Sequence, residues 1–163
     1  MLEYFLQKQE IDIILLQEVT WPVFDNIRDF ATYTNIGTTG RGTTNLTLDH
    51  IQLTNIVFLP TGRGMAADFQ TVTIVNIYAM LSREEEGQGK LLFEELPYLL
   101  RGIPPSPLVG GEFNSVLTNL DATGHPNYSL ALQQFIRGFD LVDMWETSQE
   151  RATCTHYPSR CVY

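Results

Sequence analysis

The sequence predicts an α/β sandwich that forms a single domain. Segments with helical periodicity alternate with strand-like segments, which is the pattern of layered α/β folds. A near-continuous apolar run at residues 11–16 is typical of a strand covered on both faces. Residues 33–78 are dense in Thr, Ile and Val between glycines, as in antiparallel hairpins. With 163 residues, of which 44% are hydrophobic and 18% charged, the chain can bury a sizeable core.

The first third of the chain is predicted to run helix, strand, helix. Residues 2–10 read as a short amphipathic helix, because apolar positions at its start precede a polar stretch. The strand at 11–16 follows and ends in polar Gln17 and Glu18. Residues 23–30 then have helical spacing, with Pro22 placed near the first turn.

The central third is predicted to be strands joined by hairpins. Candidate strands cover residues 43–48, 52–58 and 69–78, and the last is the clearest because β-branched residues alternate along it. Residues 62–67 superficially fit the glycine fingerprint of dinucleotide-binding proteins. That motif requires a helix after it, whereas a strand is predicted here, so we interpret the segment as a hairpin loop.

The last third returns to helices and short strands. A helix is predicted within residues 83–101, starting near Gln88, followed by a proline-rich connector and a strand at 108–109. Residues 129–139 predict another helix, and residues 153–163 have strand-forming composition broken by a proline. The side of the 129–139 helix predicted to face inward consists of Leu130, Leu132, Phe135 and Ile136.

Charge and hydropathy limit the classes of function. Ten Lys and Arg against nineteen Asp and Glu give a net charge of −9, which excludes a broadly basic nucleic-acid surface. Binding of a polyanion would therefore need a local patch or a divalent cation. No apolar run approaches the roughly 20 residues of a membrane span, and the start of the chain lacks the pattern of a signal peptide. We expect an intracellular protein, nuclear or cytoplasmic, with no membrane contact.

The two cysteines, Cys154 and Cys161, flank His156. A structural zinc site needs four ligands with tighter pair spacing, and the remaining histidines lie far away in sequence. Reduced thiols are therefore expected in preference to a zinc site.

Three predicted strands end in polar side chains that could act together. Glu18 and Tyr78 each end a strand, and strand alternation would place Glu112 and Asn114 on one side of a third. A carboxylate and an amide side by side suit the holding of a hydrated cation with an anionic substrate. Taken singly, each residue also has an ordinary explanation: a solvated acid, a core tyrosine or turn chemistry.

Together these segments resemble the endonuclease/exonuclease/phosphatase superfamily, in particular the apurinic-type endonuclease domain of LINE-type (non-LTR) retrotransposons. The resemblance implies a four-layer sandwich, with two mainly antiparallel or mixed sheets flanked by helices, that cuts DNA phosphodiester bonds with Mg²⁺ or Mn²⁺. Residues 153–157 also resemble a strand of that family. The matching segments are Gln17-Glu18, Asn76-Ile77-Tyr78-Ala79 and Gly110-Gly111-Glu112-Phe113-Asn114.

The resemblance implies a role for each site residue. Glu18 would hold the metal and Tyr78 would contact the scissile phosphate. Glu112 occupies the position of an Asp that orients or deprotonates the attacking water. Asn114 would bind the phosphate or the transition state, and Thr155 would contact the substrate backbone. A hard cation with oxygen ligands suits this chemistry.

Departures from the family pattern predict weak or absent catalysis. The family's opening strand with its Asn would lie before residue 1 and its Ser-Asp-His motif beyond residue 163, so we expect an incomplete domain and an incomplete second sheet. Glu112 replaces the family Asp, which moves the carboxylate by about 1.5 Å, and Met80 replaces a Pro. Two alternatives remain: a non-catalytic remnant that binds or self-associates through exposed sheet edges, and a phosphatase of the same superfamily.

Overall fold

The computed structural model describes residues 11–20, 27–79, 96–97, 100, 107–117 and 128–144. The chain divides into two units, Met1–Asn114 and Ser115–Tyr163. The described part of the first unit contains two sheets, and that of the second contains a helix, α1, at Leu130–Gly138. This confirms the predicted α/β class with two sheets. The predicted first helix and last strand lie outside the described residues.

The first sheet has three antiparallel strands in the order β1-β3-β2. These are β1 at Ile13–Thr20, β2 at Phe30–Ile36 and β3 at Arg41–Leu48. The helix predicted at 23–30 is wrong at its end, because Phe30 begins β2, while residues 21–26 lie outside the described part. Asp29 adopts a φ of 69°, and its carbonyl accepts a hydrogen bond from the Asp49 amide, so a turn and not a helix leads into β2.

The strands of the second sheet are β4 at Thr54–Phe58, β5 at Gly64–Phe69, β6 at Val72–Tyr78 and β7 at Leu108–Glu112. Their order in the sheet is β4-β5-β6-β7. The pairs are antiparallel except for β6 and β7, which are parallel, so the sheet is mixed as predicted. The chain turns at Gln70, with a φ of 54°, so the single strand predicted at 69–78 is wrong. The hairpin-loop prediction for 62–67 holds for the first two residues and is wrong from Gly64 onward, because Gly64 begins β5.

The two sheets pack face to face, with apolar contacts toward one end and polar contacts toward the other. Leu53, Ala67 and Ile74 form a buried cluster against which side chains of both sheets pack. At the other end the β2-β3 and β4-β5 turns meet through their backbones. Gly62 has a φ of 78°, and a Cβ there would lie 2.0 Å from the Gly37 nitrogen. The two sheets are therefore joined by apolar side chains toward one end and by close backbone contact between turns at the other.

The helix predicted at 129–139 is confirmed as α1. The Ser129 hydroxyl accepts a hydrogen bond from the Leu132 amide at 3.2 Å and caps the helix, which explains why it begins there. Leu132 and Phe135 are buried, whereas Leu130 is 67% exposed. The prediction that Leu130 faces inward is wrong, because residues two apart on a helix lie on opposite sides.

Only a short part of the helix predicted at 83–101 is described. Residues 96–97 are helical, and the Leu100 amide donates to the Leu96 carbonyl at 3.1 Å, as in a helical turn. Both leucines are buried. Within the described residues, no helix has the length and apolar character needed to cross a membrane.

Candidate active site

Glu18 lies on a bulge near the end of β1, which continues to Thr20, so the prediction that this strand ends at Gln17 and Glu18 is wrong. Leu16 pairs with Thr44, and pairing with β3 resumes at Val19 opposite Gly42, so β1 carries one extra residue. Glu18 adopts a φ of 55°, in the left-handed region that side chains other than glycine rarely enter. Residues held in such strained conformations cluster at functional sites. The bulge redirects the Glu18 side chain toward the second sheet.

Three side chains from three strands meet at this point. The Tyr78 hydroxyl on β6 donates to Glu18 Oε1 at 2.5 Å, and Arg41 Nη1 at the start of β3 contacts the same oxygen at 3.1 Å. The Glu18 and Arg41 side chains are each 52% exposed, whereas Tyr78 is buried. The group therefore joins the two sheets and faces solvent on its charged side.

The environment keeps Tyr78 protonated and Arg41 charged. Burial and the hydrogen bond to Glu18 raise the pKa of Tyr78 to about 12. Its hydroxyl is thus a hydrogen-bond donor at neutral pH. The Tyr78 hydroxyl and the Glu18 carboxylate raise the pKa of Arg41 above its ordinary value. The site combines a neutral donor, a carboxylate and a permanent cation.

Glu112 lies one strand away from Tyr78. The two residues are register partners in the parallel pair β6-β7, so their backbones are about 4.8 Å apart. The Ala79 amide donates to the Glu112 carbonyl at 2.7 Å, which extends this pairing by one bond. The structure therefore brings the predicted residues Glu18, Tyr78 and Glu112 to the same end of the sandwich.

Asn114 reaches the site by a different route from the one predicted. β7 ends at Glu112 and Asn114 has a φ of 49°, so strand alternation does not set its direction and that part of the prediction is wrong. Its side-chain amide donates to the Ala79 carbonyl. This bond ties the loop after β7 to the end of β6. Thr155 lies outside the described residues.

A buried polar network stands behind Glu18 and Tyr78. Gln17 Nε2 donates to Asn76 Oδ1 at 2.8 Å, and Asn76 Nδ2 donates to Asn45 Oδ1 at 2.8 Å. Asn76 and Asn45 are fully buried between the sheets. The network fixes β1 against β6 immediately beside the site.

The sequence motifs predicted no function for this network or for Arg41. Asn76 carried a usable signal, because an amide between Val75 and Ile77 in an apolar strand must find buried partners. Arg41 carried none, since it lies between two glycines and is far from Glu18 in sequence.

Comparisons with known proteins show a fold relationship. No family model matches the chain, and no curated protein matches it. An AP endonuclease from Archaeoglobus fulgidus matches with a TM-score of 0.65 and 14% identity, and a 3′-5′ exonuclease from Neisseria meningitidis with 0.67 and 16%. These matches show that the chain shares the fold of the two enzymes over the aligned part. A Neisseria 3′ phosphatase bound to a product DNA hairpin also matches, with 0.64 and 16%.

The shared fold extends over most of this chain and part of each neighbour. Each match covers 85% of this chain and 63% of the other chain, so this chain spans somewhat less than two thirds of their length. At these identities the comparison establishes fold, and the site must be argued from its own geometry.

The site fits a cation held by few protein ligands. Mg²⁺ commonly takes one or two carboxylates, with water and phosphate oxygens completing its shell. Glu18 supplies an exposed carboxylate, and Glu112 lies on β7, opposite Tyr78 on the adjacent strand β6. Among the residues that the structure describes, no three His, Cys, Asp or Glu side chains converge. A cage made entirely of protein ligands is therefore not what this part of the chain offers.

Proposed function

We propose that this chain is a metal-dependent DNA phosphodiesterase, a nicking endonuclease of the retrotransposon type with impaired catalysis. The observation that carries the proposal is the meeting of Glu18 and Tyr78 across the two sheets, with Glu112 on the adjacent strand. The shared fold with an AP endonuclease and a 3′-5′ exonuclease supports a nuclease. The retrotransposon type rests on the order of the sequence motifs.

Each described residue has a role that its geometry permits. Glu18 would hold Mg²⁺ or Mn²⁺, which when bound polarises a phosphate and stabilises charge on the leaving oxygen. Tyr78, kept protonated, donates a hydrogen bond to a phosphate oxygen. Glu112 accepts the proton of the attacking water or orients that water. The Asn114 amide ties the loop after β7 to β6, and by resemblance Asn114 binds the phosphate or the transition state. Thr155 lies outside the described residues, and its proposed contact with the substrate backbone rests on the resemblance alone.

The proposed impairment has a specific physical cause. The carboxylate of Glu112 extends about 1.5 Å beyond that of the Asp found in the resembling family. Misplacement of a catalytic group by about 1 Å can lower the rate on the order of a hundredfold. Glu112 pairs with Tyr78 on β6, and the Gly111 backbone lies close against that of Ile77 on the same strand, so β7 has little freedom to move toward β6.

The test is nicking of supercoiled plasmid with Mg²⁺. We expect slow nicking by the wild type, none by Glu18→Ala, and a rate about ten- to a hundredfold higher for Glu112→Asp. Asp49→Ala is the matched control, because this exposed acid lies at the opposite end of the first sheet and should leave the rate unchanged. Nicking that survives in Glu18→Ala, or its absence from both the wild type and Glu112→Asp, would contradict the proposal.

A non-catalytic role is the second candidate. β4 is the outer strand in the order of the second sheet, and its Val57 and Phe58 are 46% and 45% exposed. Exposed apolar side chains on an edge strand favour self-association. Sedimentation that detects a dimer, together with an inactive Glu112→Asp, would favour this candidate.

A phosphatase, the third candidate, would release phosphate from a 3′-phosphorylated oligonucleotide without nicking plasmid.

A further inference from the structure

We propose that Arg41 is a phosphate-binding residue of this site, held by Glu18 until a divalent cation or the substrate displaces that contact. The proposal rests on the proposed function for the identity of its ligand, the phosphodiester backbone of DNA. It adds a residue that the sequence motifs do not contain.

The position of Arg41 is set by the first sheet. Arg41 begins β3 directly after the turn at residues 37–40, and it pairs with Thr20 at the end of β1. Its guanidinium contacts Glu18 Oε1 at 3.1 Å and also interacts with the Tyr78 hydroxyl. The cation therefore lies beside both the carboxylate proposed to hold the metal and the hydroxyl proposed to contact the phosphate.

The chemistry of the guanidinium suits exchange between two anions. Arginine presents five N–H donors in a planar fork that matches both carboxylate and phosphate. The contact with Glu18 is half exposed, and exposed ion pairs are weak and screened by salt. A phosphate can therefore replace Glu18 as the partner of Arg41, most readily once a divalent cation neutralises Glu18. In a chain of net charge −9, this local cation offsets repulsion of the polyanion.

A purely structural role for Arg41 makes different predictions. If the guanidinium only neutralises Glu18, its removal alters folding stability and leaves the salt dependence of DNA binding unchanged. If it binds a phosphate, its removal reduces the number of counterions released on binding. The salt dependence of affinity separates the two roles.

The first experiment measures the binding of a fluorescently labelled DNA duplex in EDTA over a range of salt concentrations. For Arg41→Gln we expect affinity about three- to tenfold weaker and a slope of log K against log salt lower by about one. Arg41→Lys keeps the charge and should keep the slope. Arg28→Gln is the matched control, because this exposed arginine pairs with Asp29 at 3.7 Å at the far end of the sheet. It should leave the slope unchanged.

The second experiment tests the exchange itself. Glu18→Gln removes the carboxylate that holds the Arg41 guanidinium, so its affinity for the duplex in EDTA should be higher than that of the wild type. The double variant Glu18→Gln, Arg41→Gln should lose this increase in affinity. Mn²⁺ titrated alone should bind Arg41→Gln about two- to fivefold more tightly than the wild type, because Glu18 loses a cationic neighbour. Glu18→Gln should lose this Mn²⁺ binding.

The outcomes distinguish this inference from the proposed function. A wild-type protein that binds the duplex with an Arg41-dependent slope but never nicks DNA would retain the inference and refute the nuclease. If the wild type nicks DNA but the slope of log K against log salt is identical in the wild type, Arg41→Gln and Arg28→Gln, the inference alone is refuted. Failure of the wild type to bind the duplex, or Mn²⁺ binding no tighter in Arg41→Gln, would also overturn it.

Discussion

Substituting Gly111 with alanine should destabilise the first unit and displace Glu112. Gly111 has a φ of 135°, which L residues rarely adopt, and this strain costs about 1–3 kcal/mol. A Cβ at Gly111 would lie 2.0 Å from the Ile77 carbonyl oxygen and 2.8 Å from the Ile77 nitrogen. Because both are backbone atoms of β6, relief requires β7 to move, which adds about 1–3 kcal/mol.

The expected total is a loss of about 2–6 kcal/mol in the free energy of unfolding, measured by urea denaturation followed by circular dichroism. Domains are typically stable by only about 5–15 kcal/mol, so such a loss would be conspicuous. The displaced β7 would also carry Glu112 away from Tyr78, its register partner. Any residual nicking should therefore fall together with stability.

Two further glycines separate strain from steric overlap. Gly40 has a φ of 75° but nothing within 4 Å of its would-be Cβ, so Gly40→Ala should show the backbone strain alone, about 1 kcal/mol. Gly138 ends α1 with open space around it, so Gly138→Ala should be neutral or stabilising by up to about 1 kcal/mol. If Gly111→Ala lowers the free energy of unfolding by no more than Gly40→Ala does, the close approach of β7 to β6 at Gly111 is contradicted.

Three other perturbations test individual side-chain hydrogen bonds, two of them at or beside the site. Asn76→Leu leaves buried partners unsatisfied and should lower the free energy of unfolding by about 2–5 kcal/mol in urea; an unchanged midpoint would show that the network is dispensable. In an alkaline absorbance titration, a tyrosine should ionise near pH 12, and this step should vanish in Tyr78→Phe. Because the folded pKa of Tyr78 is raised above 10.0, its contribution to stability is lost as pH rises from 10 to 12. Hydrogen bonds from Thr73 and Asn55 lower the pKa of Asp68 below 3.8, so the stabilisation is present above that pH and lost as pH falls through the lowered value. Thr73→Val should raise the pKa of Asp68 as measured by NMR.

Local sequence signals predicted the elements whose ends are locally determined. The helix at 129–139 was predictable because Ser129 caps it and apolar residues repeat at helical spacing. The strand at 43–48 was predictable because β-branched residues are dense there, although pairing with Thr20 extends it back to Arg41. The break at Gln70 was not predictable, because a left-handed φ at Gln has no composition signal comparable to that of Gly or Asn-Gly.

The candidate site was predictable where a residue ends an apolar strand and unpredictable where register decides. Tyr78 and Glu112 end their strands, so their positions could be inferred from patterning. Glu18 lies on a bulge two residues before β1 ends at Thr20, and patterning does not predict that bulge. Arg41 meets Glu18 only because β1 and β3 pair antiparallel with a bulge at Glu18, and a shift by one residue would turn its side chain to the other face. Asn114 was assigned by alternation to a strand that ends two residues earlier.

Buried polar groups, and not backbone strain, distinguish the part of the sandwich that supports the site. Left-handed φ values occur at Glu18 and Asn114 but also at Asp29 and Gln70, so backbone strain does not single out the site. Asn76 and Asn45 are fully buried between the sheets, and among the described residues Asn45 Nδ2 has no hydrogen-bond partner. A buried amide without a partner is destabilising. Apolar packing joins the same two sheets elsewhere without polar groups, so the polar network beside Glu18 and Tyr78 is kept at a cost in stability, as expected where residues position a site.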